Sequence, residues 1–280
     1  MKRKIIEKKK LNEFASYLRD EERSEATIEK YLRDVGCFAK FAGGTEISKQ
    51  TVLEYKNKLG ADYAVASANS MIAALNTFFR FCGWNNLCIK QFKMQRQAYC
   101  SEDKELTREE YLRLLGAAEN KKNRRLKLII QTICGTGIRV SELQYITVEA
   151  VHRGEAIVNC KGKKRRIFIV CELRKKLLRY VKENKIVSGA VFITKNGKPI
   201  SRNSIWKDMK ALCKTADVAP SKVFPHNLRH LFARTFYVIE KDIAKLADIL
   251  GHSNINTTRI YIVETGEEHR RKMENMRLII

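Results

Sequence analysis

Apolar residues in this chain recur at three- and four-residue spacing, and a chain with that rhythm packs as helices. Leu11, Phe14 and Leu18 fall at i, i+3 and i+7, and Ile28, Tyr31, Leu32 and Val35 repeat the stripe. A third apolar-rich helix is predicted over Ser70 to Phe81. The rhythm lapses between Lys90 and Lys104, in KQFKMQRQAYCSEDK, which places a domain boundary there. It resumes in LTREEYLRLL, where Thr107 and Glu110 have the spacing of a capping box, so a new helix and a new domain start at Thr107. Beyond it one stretch breaks the helical pattern. Ala156 to Cys160 and Ile167 to Val170 are short β-rich runs flanking KGKKRR, predicted as a hairpin with a basic turn. A second turn, NGKP at Asn196 to Pro199, follows the apolar run VFIT, and helical patterns resume from His226 to the end. The expected fold is mainly α. An all-helical domain with a basic arm and linker takes residues 1–100, and a mostly helical domain with a small β-hairpin and a C-terminal tail takes 101–280.

Charge narrows the partner. The 280 residues carry a formal charge of +24. Residues 1–100 hold 18 Lys and Arg against 11 Asp and Glu, and residues 101–280 hold 37 against 20. Both parts are basic, which points to a polyanion, and nucleic acid is the commonest one. Hydrophobic content of 44% excludes a disordered chain. No apolar run approaches the roughly 20 residues of a membrane span, and the start, MKRKIIEKKKLNEF, lacks the features of a secretory signal. A cytoplasmic protein without a membrane partner is expected. The eight cysteines are scattered with no CxxC pair, so they read as small buried hydrophobes in a reducing compartment and not as a zinc site.

Three stretches carry candidate chemistry. In PHNLRHLFARTF, His226 and Arg229 share a helix face, as do His226 and His230. Spacing of i and i+4 suits a metal pair, but an HEXXH-type centre needs a carboxylate inside the motif and none is there. In GTGIRVSEL, Gly135 and Gly137 flank a turn that opens a helix whose Leu143 and Ile146 face the core. Arg139 there is either a surface charge or an anion ligand at a helix start. In LGHSNINTTRIYI, His252 follows a helix-ending glycine and Tyr261 lies nine residues later. Two arginines, two histidines, a lysine-rich hairpin and a tyrosine describe phosphodiester chemistry that calls for no metal or other cofactor. Arginine forks hold the non-bridging oxygens, a tyrosine hydroxyl attacks phosphorus, and a hairpin lysine protonates the leaving oxygen.

TGIRVSEL, KGKKRRIFI, HNLRHLFARTF and LGHSNINTTRIYI, in that order, resemble the motifs of the tyrosine recombinase (phage-integrase-type) family over roughly residues 105–265. The N-terminal SEATIEKYLRDVGCFAKFAG is similar to that family's helical core-binding domain, in the Xer-like two-domain form. The resemblance implies roles residue by residue. Arg139 and Arg229 clamp the scissile phosphate, and His226 assists proton transfer and orients the phosphate. His252 is a further phosphate contact, Lys161 is the general acid with Lys163 and Lys164 as near alternatives, and Tyr261 is the nucleophile. Glu142 and His230 support the catalytic groups without reacting. The chain departs from the family pattern in two places. IEKDIAK lacks the glycine that the family often places before LADILGH, which predicts a loop of different shape, and Ile262 and Val263 stand where a Thr-His pair is common.

The resemblance further implies a site-specific recombinase that forms a 3′-phosphotyrosyl intermediate without ATP or metal. It implies a double-stranded DNA recombination site as substrate and a homo-tetramer acting on two sites. Accessory DNA-bending or directionality proteins remain open. Met273, Met276 and Ile280 lie at helical spacing in the tail and suggest docking on a neighbouring protomer. A type IB topoisomerase-like activity and a non-catalytic DNA-binding relative are the competing readings. The first fits LGH and the hairpin poorly, and the second does not explain why Arg139, Arg229 and Tyr261 are all present.

Overall fold

The computed structural model describes residues 4–94, 104–160, 163–261 and 266–276, with no helix long and apolar enough to cross a membrane among them. The chain divides into two compact units, Met1–Arg96 and Gln97–Ile280.

The first unit holds four helices: α1 (Lys8–Asp20), α2 (Glu25–Phe41), α3 (Lys49–Asp62) and α4 (Val65–Phe81). The expected helix at Ser70 is the C-terminal part of the longer α4, and α3, which the sequence reading did not mark, buries Val52, Tyr55 and Leu59. The core is aromatic, with Phe14, Phe38, Phe78 and Phe79 fully buried and Phe14 set edge-on to Phe78 at 5.1 Å. Two asparagines on one face of α4 then grip the chain leaving the unit. Asn76 donates to the Ile89 carbonyl (2.8 Å) and accepts from the Ile89 N–H (2.9 Å). Asn69 does the same with Phe92, at 3.0 and 2.8 Å. The first residues of the stretch read as a linker therefore belong to this unit. Buried amides replace the ladder that a partner strand would supply.

The second unit runs α5 (Arg108–Asn120), α6 (Arg124–Thr136), a 3₁₀ turn (Val140–Tyr145), α7 (Val148–Arg153), β1 (Glu155–Cys160), β2 (Lys163–Phe168), α8 (Cys171–Glu183), α9 (Arg202–Lys210), α10 (Cys213–Ala216), α11 (Pro225–Glu240), α12 (Ile243–Leu250), α13 (Ile255–Arg259) and α14 (Gly266–Asn275). Thr107 caps α5 in a capping box with Glu110, as its spacing predicts. The main core includes Leu114, Ile129, Ile133, Leu143, Ile146, Leu177 and Leu228. A second, smaller cluster gathers Ala233, Leu246, Leu250 and Tyr261 with Phe232 and Phe236 packed against it.

One expectation needs correcting. The basic residues Lys163 to Arg166 are not a turn but the antiparallel strand β2, with Val158 opposite Arg165 and Ala156 opposite Ile167. Strand alternation turns Arg165, Ile167 and Ile169 to the inner face and Lys164, Arg166 and Phe168 outward. An inward arginine hides that period in the sequence. Between α11 and α12, where the sequence lacks a glycine, Lys241 takes the left-handed backbone (φ 56°) that a glycine adopts without strain.

Candidate active site

Four elements of the second unit meet at one point: the turn after α6, strand β2, the N-terminal half of α11, and the segment from α12 to Tyr261. Each turn into the site has a steric reason. Gly137 ends α6 with φ 64°, and a Cβ there would lie 2.5 Å from the Phe232 ring. Gly251 ends α12 with φ 66°, and a Cβ there would lie 2.7 Å from the Arg165 side chain. A side chain at either position would push the walls of the site apart. Pro225 sits in the first turn of α11, where its missing N–H costs nothing, and it sets His226, Arg229 and His230 on successive turns.

Arg229 is 1% exposed, and its guanidinium donates to the carbonyls of Gly137 and Leu250, the second at 2.7 Å. Its Nη2 also lies 3.0 Å from His252 Nε2. A guanidinium only donates, so His252 Nε2 accepts, and its Nδ1–H donates to Thr258 Oγ1 at 2.8 Å. His252 is thus held as a neutral ring between Arg229 and Thr258. Burial, then the nearby Arg229 and Arg139 cations, pushes the His252 imidazole down to about 4. Burial and Arg139 bring Arg229 down to about 10, which leaves it charged at neutral pH.

Arg139 caps the 3₁₀ turn. Its own N–H donates to Glu142 Oε2 (2.9 Å) and its Nη1 to Glu142 Oε1 (2.9 Å). Glu142 is 3% exposed, and its Oε2 also accepts from Arg165 Nη2, while Arg165 Nη1 donates to the Leu250 carbonyl. Three guanidinium groups therefore share one buried carboxylate and one helix-end carbonyl. That excess of positive charge suits an anion whose charge grows during reaction.

Tyr261 is 4% exposed and ringed by imidazoles, with centroids 4.2 Å away for His230, 5.4 Å for His252 and 5.6 Å for His226. Its hydroxyl lies 3.3 Å from His226 Nε2. Burial, then Arg229 and Arg139, lowers the His226 pKa and keeps that ring a proton acceptor. Burial, then His226 and Arg229, brings His230 down to about 4. Beside the cluster opens a groove of about 610 Å³, lined by Arg139, His226 and Arg229 and by Arg202, Asn203 and Trp206 of α9.

The structure thus brings together Arg139, Glu142, His226, Arg229, His230, His252 and Tyr261. Lys161 lies outside the described residues, as do Ile262 and Val263, and Lys164 points outward to solvent. Sequence reading missed Arg165, Thr258 and the α9 residues. Only the alternation Arg165, Ile167, Ile169 could have marked Arg165 as inward-facing.

Comparison with known proteins adds a family-level frame. Residues 104–268 match the phage integrase family, and residues 11–86 match the phage integrase N-terminal SAM-like domain. The chain is 32% identical to the tyrosine recombinase XerA of Pyrococcus horikoshii, across 98% of this chain and 96% of that protein. Among solved structures it resembles the XerH site-specific recombinase bound to difH substrate in a pre-cleavage complex (TM-score 0.70, 19% identity, covering 95% of this chain and 84% of that one). It also resembles a lambda integrase tetramer bound to a Holliday junction (TM-score 0.71, 18% identity, 90% and 76%).

Proposed function

The chain belongs to the phage integrase family and is a tyrosine-type site-specific recombinase, and on that premise we propose how its own residues cut and rejoin DNA. Tyr261 Oη attacks the scissile phosphorus, and the bond from phosphorus to the 5′ oxygen breaks. The DNA 3′ end stays on the enzyme as a phosphotyrosyl ester. The phenolic proton passes to His226 Nε2, the acceptor 3.3 Å from Oη. Arg139 and Arg229 take the charge that builds on the non-bridging oxygens, a contribution typically of about 10²-fold or more per donor. Lys161 protonates the departing 5′ oxygen, with Lys163 next in line. A 5′ hydroxyl from a second duplex then attacks the phosphotyrosine and expels Tyr261. Each broken ester is matched by a new one, so the exchange needs no nucleotide.

The basic helical unit at the N-terminus serves as the core-binding domain on double-stranded DNA. The lambda integrase tetramer on a Holliday junction supports a homo-tetramer acting on two sites. Met273 of α14 and Met276 just beyond its end, 59% and 60% exposed, suit docking on a neighbouring protomer; Ile280 lies outside the described residues. With DNA as its substrate, the protein is placed in the cytoplasm.

The observation that carries this reading is the Tyr261 hydroxyl against a neutral His226, beside two arginines on an open groove. Incubation with fragmented source-genome DNA, detergent denaturation and sequencing of attached strands tests it. Wild type should retain DNA at reproducible ends, and Tyr261→Phe should bind the same DNA but retain none. Retention by Tyr261→Phe would remove Tyr261 as nucleophile.

A further inference from the structure

Arg139 is 38% exposed at its side chain, so its direction is not set by packing. It is set by Glu142, which takes both its backbone N–H and its Nη1. Glu142 is buried, and a buried carboxylate holds its place only where its charge and lone pairs are matched. The second cation matching it is Arg165, 12% exposed, on the inner face of β2. Arg165 is itself fixed at two ends. Its Nη1 donates to the Leu250 carbonyl, the same oxygen that Arg229 Nη2 uses, and its stem lies where a Cβ on Gly251 would otherwise stand. A rigid path therefore runs from the end of α12 through Arg165 and Glu142 to Arg139.

We propose that Arg165 is a positioning residue for strand cleavage, holding Glu142 so that Glu142 aims the Arg139 guanidinium at the scissile phosphate. This rests on the reading of Arg139 as a phosphate clamp. A planar fork reaches the carboxylate and the carbonyl together, whereas a lysine ammonium reaches them only by giving up one geometry. The competing role is structural: Arg165 would merely pin the hairpin to α12, and Glu142 would not matter to its effect.

The test is a double-mutant cycle of single-turnover cleavage at saturating protein, using Arg165→Gln, Glu142→Gln and the pair, with DNA affinity measured alongside. In the otherwise wild-type protein, Arg165→Gln should slow cleavage at least tenfold with affinity changed less than threefold. In the Glu142→Gln background the same substitution should cost less than threefold. An equal cost in both backgrounds, or a cost below threefold in the wild-type background, overturns the proposal. Arg165→Lys replaces Arg165→Gln in the same cycle if the latter does not fold, with the same pattern expected at smaller amplitude. Absence of covalent attachment in wild type would strike the cleavage reading itself, and so is told apart from failure of this inference.

Discussion

Around Tyr261 the protein has gathered three imidazoles and kept all of them uncharged. Burial is the first cause for all three: it pushes His230 and His252 down to about 4 and lowers His226. In an unfolded chain these rings titrate near 6.5. As pH falls from about 6.5 to about 4, the unfolded state therefore binds protons that the folded state does not. Folding stability must drop across that window, and it levels off below it, where both states are protonated. Thermal melts of the full chain between pH 7.5 and 4.5 should show the melting temperature falling, and His230→Phe should flatten the slope. An unchanged slope in that variant would mean His230 is protonated in the fold. The same neutrality suits His226 to receive the tyrosine proton at physiological pH. His226, Arg229 and Tyr261 are legible in sequence because they sit in short motifs with fixed spacing. Arg165 and Thr258 are not, because one basic residue in KGKKRR and one hydroxyl in NTTR carry no pattern that separates a buried partner from a surface group.

At the level of elements, periodicity reveals what is amphipathic and hides what is held by polar contacts. Helices α1, α2 and α5 follow from their apolar stripes and the Thr107 cap. Helix α3 buries Val52, Tyr55 and Leu59 at the same i, i+3 and i+7 spacing, but the exposed Leu53 beside them and Gly60 near its end blur the stripe. The segment gripped by Asn69 and Asn76 reads as linker because its hydrogen bonds go to side chains. The turn between α11 and α12 is the most instructive case, because the loop that positions the Gly251–Tyr261 segment contains a left-handed lysine. A non-glycine residue in that conformation costs about 1 to 2 kcal/mol. Lys241 is exposed, and its N–H still donates to the Tyr237 carbonyl, an interaction that any residue but proline provides. Lys241→Gly should therefore stabilise the second unit by up to about 1 kcal/mol, after the extra freedom of glycine in the unfolded chain is discounted. That raises its melting temperature by roughly 2 °C for a unit of this size. Lys241→Ala should give no rise, since alanine keeps the Cβ. A fall with glycine would mean the lysine side chain, and not backbone shape, makes the turn.

For the molecule as a whole, the two units each have their own core and are both basic, by +7 over residues 1–100 and +17 over 101–280. Charge of that amount serves two purposes that differ in how they respond to salt. Exposed lysines and arginines displace counterions from duplex DNA, so affinity falls with salt by on the order of 10³-fold or more between 50 and 200 mM if six to ten phosphates are met. The charges beside Tyr261 are different in kind. Arg229 is 1% exposed and Glu142 is 3% exposed, out of reach of the ions that screen the surface. Binding and cleavage should therefore part company as salt is raised. Titrations on a duplex carrying the recombination site should show the steep loss of affinity. Single-turnover cleavage, measured with enough protein to keep the DNA saturated at each salt concentration, should change by less than about threefold over the same range. If cleavage of the saturated complex instead declines in step with affinity, the cations that stabilise the reacting phosphate are solvent-exposed. The buried Arg229 would then be a structural pin between Gly137 and Leu250, with the clamp falling to Arg139 and to lysines on the hairpin.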